Sequence, residues 1–307
     1  MKLKAIAAVI AAVMIMLCGC ASIAGDDKKT AETSAGTNTP ADTDDEDDAM
    51  DDLTDEEQLA AADAAQITLD GTSAVVAGSD AAARKVTVDG GKITLTDGGS
   101  YYVTGTLEEG QIVVNAPSDE KVDIYLNGAD ITCTSSAPIA VENADRVTLH
   151  LVEGSTTVLK DSSANTLTAC VSAKDDLTIK GKGTLYVYGS AKHGIKSSND
   201  VKIKNGNIII SSINAGIYGE DTVQITGGNI TVTSSKDGIK ATNETEAAKG
   251  YVSIEAAEID IQNASGNGIE AVTGVTISSD STVKIHSVKK PINCDTQDIA
   301  EGSLVTY

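Results

Sequence analysis

Oxygen-bearing side chains recur in this chain at a fixed offset. Asp175-Asp176, Asn199-Asp200, Asp221-Thr222 and Asn243-Glu244 stand four and five residues after successive members of an apolar ladder, so they stack at one corner of whatever fold carries them. Carboxylates about 5 Å apart repel unless a cation or hydrogen-bond donors stand between them. Ca2+ takes roughly six to eight oxygens from carboxylates, amides, carbonyls and water, which is the donor set this corner offers. Asp175, Asp176, Asp200 and Asp221 are therefore candidate metal ligands, and Asp237 with Asn214 or Asn267, just before the ladder, forms a second candidate group. The alternative is architectural: Asn and Asp favour turns because their side chains bond nearby backbone, and ladders of them brace stacked turns without metal.

Beside this corner lies a second chemistry. Lys196, Tyr218 and Lys240 occupy one column and project from the same face, an arrangement suited to touching sugar hydroxyls and carboxylates. Tyr186 and Tyr188, two apart on one strand, share another outward face and are further candidates for sugar stacking. Catalysis finds less support. His150, His193 and His286 are dispersed and no nucleophile motif stands out, so no catalytic residue is assigned. A uronate lyase needs a cation to neutralise the carboxylate and a base for the α-proton, and Lys196 or Lys240 would have to be that base.

The elements that must hold these residues follow from a repeat. Ile195, Ile217 and Ile239 follow one another at 22 residues, each after Gly, and Ile269 comes after 30, with Asn243 to Tyr251 as an inserted loop. A period of this size marks a solenoid. Val171, Ile195, Ile217, Ile239, Ile269 and Ile292 form one inward column, and Ala173, Ser197, Gly219, Ala241, Ala271 and Cys294 a second, smaller one. Ser172, Lys196, Tyr218, Lys240, Glu270 and Asn293 alternate outward between them, the period of a strand. Second strands begin at Leu177, Val201, Val223 and Val275, and third strands at Leu185, Ile208, Ile230, Ile259 and Val283. About three short strands per turn with no helical period describe an all-β parallel β-helix. Upstream, Val86 to Val88, Lys92 to Thr96, Tyr101 to Thr104, Gln111 to Asn115 and Val122 to Leu126 read as the strands of the first coils.

The ends differ from this body. Lys2 and Lys4, the apolar run Ala5 to Leu17 and Leu17-Cys18-Gly19-Cys20 have the shape of a lipoprotein signal peptide, residues 1–19, with lipid on Cys20. Residues 20–64 are an acidic tether too poor in apolar side chains to offset ordering entropy, with Leu53 to Ala65 as a short helix. Residues 65–307 are the solenoid. The expected location is extracytoplasmic, anchored to the membrane through that lipid. Of the net charge of −22, residues 1–63 carry −11 and the rest −11, which excludes nucleic acid as a partner. Cys133, Cys170 and Cys294 are odd in number and lack zinc spacing, so they cannot all be paired.

Asp237-Gly238-Ile239-Lys240-Ala241, its relative His193 to Ser197, Lys174 to Ile179 and Tyr125 to Ile131 resemble the carbohydrate-binding, polysaccharide lyase-like β-helix proteins of clostridial-type surfaces, over residues 65 to 307. The resemblance implies a right-handed parallel β-helix, bound Ca2+, and affinity for cellulose or polygalacturonate, without established catalysis. Where that family tends to place Asp before Gly-Ile, this chain has His193, Ala215 and Asn267 and keeps Asp237. The expectation is a lipid-anchored polysaccharide binder with calcium. A calcium-dependent pectate-type lyase and a passive surface adhesin or spacer are the alternatives.

Overall fold

The alternation read along each repeat sets the architecture. In Ile195-Lys196-Ser197, Val201-Lys202-Ile203 and Ile208-Ile209-Ile210 the first and third side chains are buried and the middle one is not. Each repeat thus offers three narrow apolar faces, which close on one another as a coil. In this computed structural model, residues 64–287 and 289–306 are described, and of 263, 264 and 304 only the backbone. The chain is a parallel β-helix of stacked strands in two sheets of 18 and 10 strands. The larger sheet holds both the second and third strands of every repeat, and the smaller holds the first.

The ladder is in register from end to end. Ile139, Val171, Ile195, Ile217, Ile239, Ile269 and Ile292 pair in sequence along the ten-stranded sheet. All but Ile292, at 7 % exposure, are sealed from solvent, and each fully buried aliphatic side chain contributes about 1.5–3 kcal/mol. The glycine of each Gly-Ile pair has a packing cause. A Cβ on Gly194, Gly216, Gly238 or Gly268 would strike the third-strand side chains of Ile210, Val232, Ile261 and Ile285 respectively, and also a backbone carbonyl of the next turn. The backbone runs so close to the opposite wall that only a hydrogen fits.

The two columns of the larger sheet join through long upstream strands. Expected to end at Leu126, one strand runs Lys121–Cys133, pairing with Arg146–Leu151 through its first half and with Thr156–Asp161 through its second. It bends at Gly128, whose φ of 70° lies in the left-handed region that glycine tolerates. Two antiparallel hairpins precede the coils, Ala65–Gly71 with Ala74–Ala77 and Val86–Asp89 with Lys92–Leu95. The short helix Asp80–Ala83 lies between them, with the Ala82 N–H donating to Ser79 Oγ at its start. The first hairpin contains Ala65, expected at the end of a helix. Its side chain and those of Ile67 and Leu69 point into the core with strand alternation, so core packing sets the conformation there. The signal peptide, Cys20, the rest of that helix and all of the acidic tether except Ala64 lie outside the described residues.

Candidate functional site

The strands His193–Ser197, Ile217–Gly219, Ile239–Ala241 and Ile269–Glu270 bring Lys196, Tyr218, Lys240 and Glu270 into adjacent register positions on the outer face. The turn before each strand supplies the rest. Lys192, His193, Lys196, Asn214, Tyr218, Lys240 and Thr242 line a hollow of about 320 Å³. Lys196, Tyr218 and Lys240 were expected to act together, and the fold brings them together. Asn214, expected to be a metal ligand, joins them in this hollow, where its N–H donates to the Lys192 carbonyl at 2.6 Å.

Tyr218 is the hub. Its hydroxyl shares a 2.8 Å hydrogen bond with Thr242 Oγ1, and its ring lies 4.9 Å from that of His193 at 28°. Lys196 Nζ stands 5.9 Å from the ring centroid, within cation–π range. His193 is buried at 5 % exposure, and its Nδ1 has no hydrogen-bond partner. Burial first, and then the charges of Lys192, Lys196 and Lys240, push its pKa down to about 3, so the imidazole is neutral.

The lysines of the hollow are not equivalent. Lys240 Nζ donates to Glu270 Oε1 at 2.9 Å and lies 3.5 Å from Asp237 Oδ2. Burial alone would lower its pKa, but the hydrogen bond and charge of Glu270, with Asp237 behind them, outweigh it and raise the pKa. Glu270 shows the converse: burial is outweighed by Lys240 and Asn267, and its pKa is lowered. Among the described residues, Lys192 and Lys196 have no carboxylate partner.

The acids named for calcium are held by donors of the chain itself. Asp175 Oδ2 accepts from the Ala144 N–H at 3.2 Å, and Asp176 Oδ1 from the Asp200 N–H at 3.3 Å. Asp200 Oδ1 accepts from Thr222 Oγ1 at 2.7 Å. Burial raises the pKa of Asp176, and the charge of neighbouring Asp200 works in the same direction while its N–H opposes. Asp221 takes Asn243 Nδ2 at 2.6 Å and Lys249 Nζ at 2.9 Å. Asp237 Oδ1 accepts from the Asn267 N–H at 2.9 Å, and Asn267 Nδ2 donates to Glu270 Oε2 at 2.7 Å. Among the described residues no three His, Cys, Asp or Glu side chains converge as metal ligands. Ca2+ needs an oxygen cage, whereas these carboxylates face N–H, O–H and ammonium donors, so the residues do not fit a resident calcium ion.

Tyr186 and Tyr188 lie on Thr184–Gly189, in the larger sheet, and do not line the hollow. Their rings are parallel within 7° with centroids 6.5 Å apart, and Tyr188 is 42 % exposed, giving a separate aromatic face. Cys133 and Cys170 are buried free thiols, and Cys294, read as a core residue, is only half-buried near the end of the ladder. Lys192, His193, Thr242 and Glu270 belong to the site and were not named for it. Glu270 carried a signal, an acid stacked in register on Lys240.

Comparison with known proteins places the chain in a family. The model of the family described as carbohydrate-binding domain-containing protein matches residues 89–304. A carbohydrate-binding domain-containing protein of Acetivibrio thermocellus is 38% identical over 127 residues, 39% of this chain and 44% of that protein, so the match spans less than half of that relative. A solved structure of a polysaccharide lyase-like protein from C. thermocellum, a gadolinium derivative, has a TM-score of 0.75 at 35% identity, covering 80% of this chain and 100% of that one. This parallel β-helix belongs to the family of carbohydrate-binding domain-containing proteins.

Proposed function

We propose that the chain binds an acidic polysaccharide of the polygalacturonate type and does not cleave it. A uronate carboxylate sits between Lys192 and Lys196, and the sugar ring lies against Tyr218. The observation that carries this reading is the presence, at one polar hollow of an otherwise acidic protein, of two lysines that have no carboxylate partner among the described residues. The hollow's volume is near the lower end of ligand pockets, roughly 300–1,000 Å³, in keeping with one sugar unit of a longer chain. The solenoid presents equivalent positions along its length, which suits a repetitive ligand. In the same reading Cys20 carries a lipid anchor, and residues 20–64 hold the β-helix off the membrane.

Elimination is the weaker reading because it needs a base. Of the two lysines that could serve, Lys240 is protonated between two carboxylates and Lys196 in this reading is taken up by the uronate carboxylate, while the His193 pKa of about 3 makes it a poor proton acceptor at neutral pH. The parallel pair Tyr186 and Tyr188 favours a second, neutral sugar contact on the adjoining face. The test is titration of polygalacturonate and cellulose with the wild-type protein, Lys192→Ala, Lys196→Ala and the double variant Tyr186→Ala/Tyr188→Ala. Lysine variants should lose polygalacturonate affinity and the tyrosine variant cellulose affinity, with no unsaturated product absorbing in the ultraviolet. Unchanged polygalacturonate binding in both lysine variants would reject the site, and accumulating unsaturated product would reject the non-catalytic reading.

A further inference from the structure

We propose that two lysine side chains, Lys240 and Lys249, are built-in counter-ions that stand where a divalent cation would otherwise join acidic side chains. The fold is therefore indifferent to calcium. Lys240 bridges turns: its ammonium meets Asp237 on its own turn and Glu270 on the next. Lys249 does the same for Asp221 of the preceding turn and Glu246 of the inserted loop, at 2.9 Å from each. In both places the amide side chain that could have offered an oxygen to a cation presents its nitrogen to the acid instead. Asn267 Nδ2 donates to Glu270, and Asn243 Nδ2 donates to Asp221. The Asn243 oxygen is spent elsewhere, accepting from the Thr245 and Glu246 N–H groups and from Thr245 Oγ1.

That arrangement also gives the inserted loop a role. The repeat lengthens from 22 to 30 residues between Ile239 and Ile269, and the added segment carries Glu246 and Lys249. Asn243 fixes the start of the loop, and the Gly250 N–H returns to the Asp221 carbonyl at 2.6 Å. The insertion thus delivers an ammonium to an acid of the turn beneath it. An ammonium offers three donors and no acceptors, and tolerates the longer contacts seen here, whereas Ca2+ at about 2.3–2.6 Å would have to draw in several further oxygens. For the hollow, the consequence is that an acidic sugar meets ammonium groups and not a bridging metal ion. This consequence alone rests on the polysaccharide reading above.

The test uses the full chain without sugar, so it is independent of that reading. Thermal unfolding is followed in excess Ca2+ and in chelator for the wild-type protein, Lys240→Met and Lys249→Met, alongside Tb3+ luminescence sensitised by tyrosine. The wild-type Tm should be the same in both buffers and Tb3+ emission should be absent. Each methionine variant, with two uncompensated acids, should gain a Ca2+-dependent Tm rise of about 3 °C. A wild-type Tm that falls in chelator, or wild-type Tb3+ emission abolished by Asp237→Asn or Asp221→Asn, would overturn the proposal. Variants that fold yet ignore Ca2+ would overturn it too. Should a variant fail to fold, the wild-type measurements decide on their own.

Discussion

His193 ties the stability of the fold to pH through one measurable group. It is 5 % exposed, packed on Tyr218 and faced by Lys192, Lys196 and Lys240, and its pKa falls from 6.5 to about 3 on folding. Because the folded value lies below the unfolded one, the unfolded chain takes up a proton that the folded chain refuses. The His193 contribution is therefore intact above pH 6.5 and declines as pH falls, until it levels off near 3. By linkage the loss is about 1.4 kcal/mol per pH unit within that window, or about 3 kcal/mol at pH 4 relative to pH 8. Urea unfolding of wild-type protein and His193→Gln from pH 8 to 4 isolates the effect, because the titrating carboxylates are common to both. The wild-type curve should steepen below pH 6 relative to the variant by that amount. Imidazole NMR resonances should show His193 without a transition down to pH 4, and Lys196→Ala should raise its pKa. Parallel stability curves, or a His193 midpoint near 6.5, would refute the account of burial and lysine charge.

Other expectations concern the core and the hub. Ile217→Ala, in the middle of the sealed ladder, should cost about 3 kcal/mol in chemical denaturation with no change in sugar specificity. Gly216→Ala would press a methyl group on Val232 and bring it within 2.9 Å of the Gly238 carbonyl oxygen, and should destabilise by about 2 kcal/mol despite adding one carbon. Tyr218→Phe removes the 2.8 Å bond to Thr242 but keeps the ring, so calorimetry should show a loss of about 1 kcal/mol in stability and nearly unchanged polygalacturonate affinity. Lys196→Ala, by contrast, should weaken that affinity roughly tenfold, with a shallower dependence on salt, because one charge-assisted contact is gone.

The fold was legible because a stacked coil repeats its core requirement at every turn. Ile195, Ile217, Ile239 and Ile269 signal the same inward position many times over, and any one irregular turn leaves the period intact. The first coils were harder to read. Their hairpins and the bend at Gly128 occur once each, and a single Gly between apolar runs reads equally as a turn or as a kink within one strand.

The site was half legible for a related reason. Strand register follows from the ladder, so Lys196, Tyr218 and Lys240 could be placed in one column from spacing alone. What spacing cannot convey is the direction in which an amide or ammonium turns once two turns are stacked. Acids recurring at a corner and acids closing on a lysine of the next turn look alike in sequence, yet one arrangement calls for a metal ion and the other does without it. Glu270 decides the matter for Lys240. It lies one turn above in register and binds the ammonium at 2.9 Å, so Lys240 serves the acids and leaves Lys192 and Lys196 to meet a ligand. Charge within a column is therefore better read between turns than along the chain: Lys240, with Glu270 in the next register position, is already spoken for, and Lys196, whose register neighbours are Ser172 and Tyr218, meets no acid in its column.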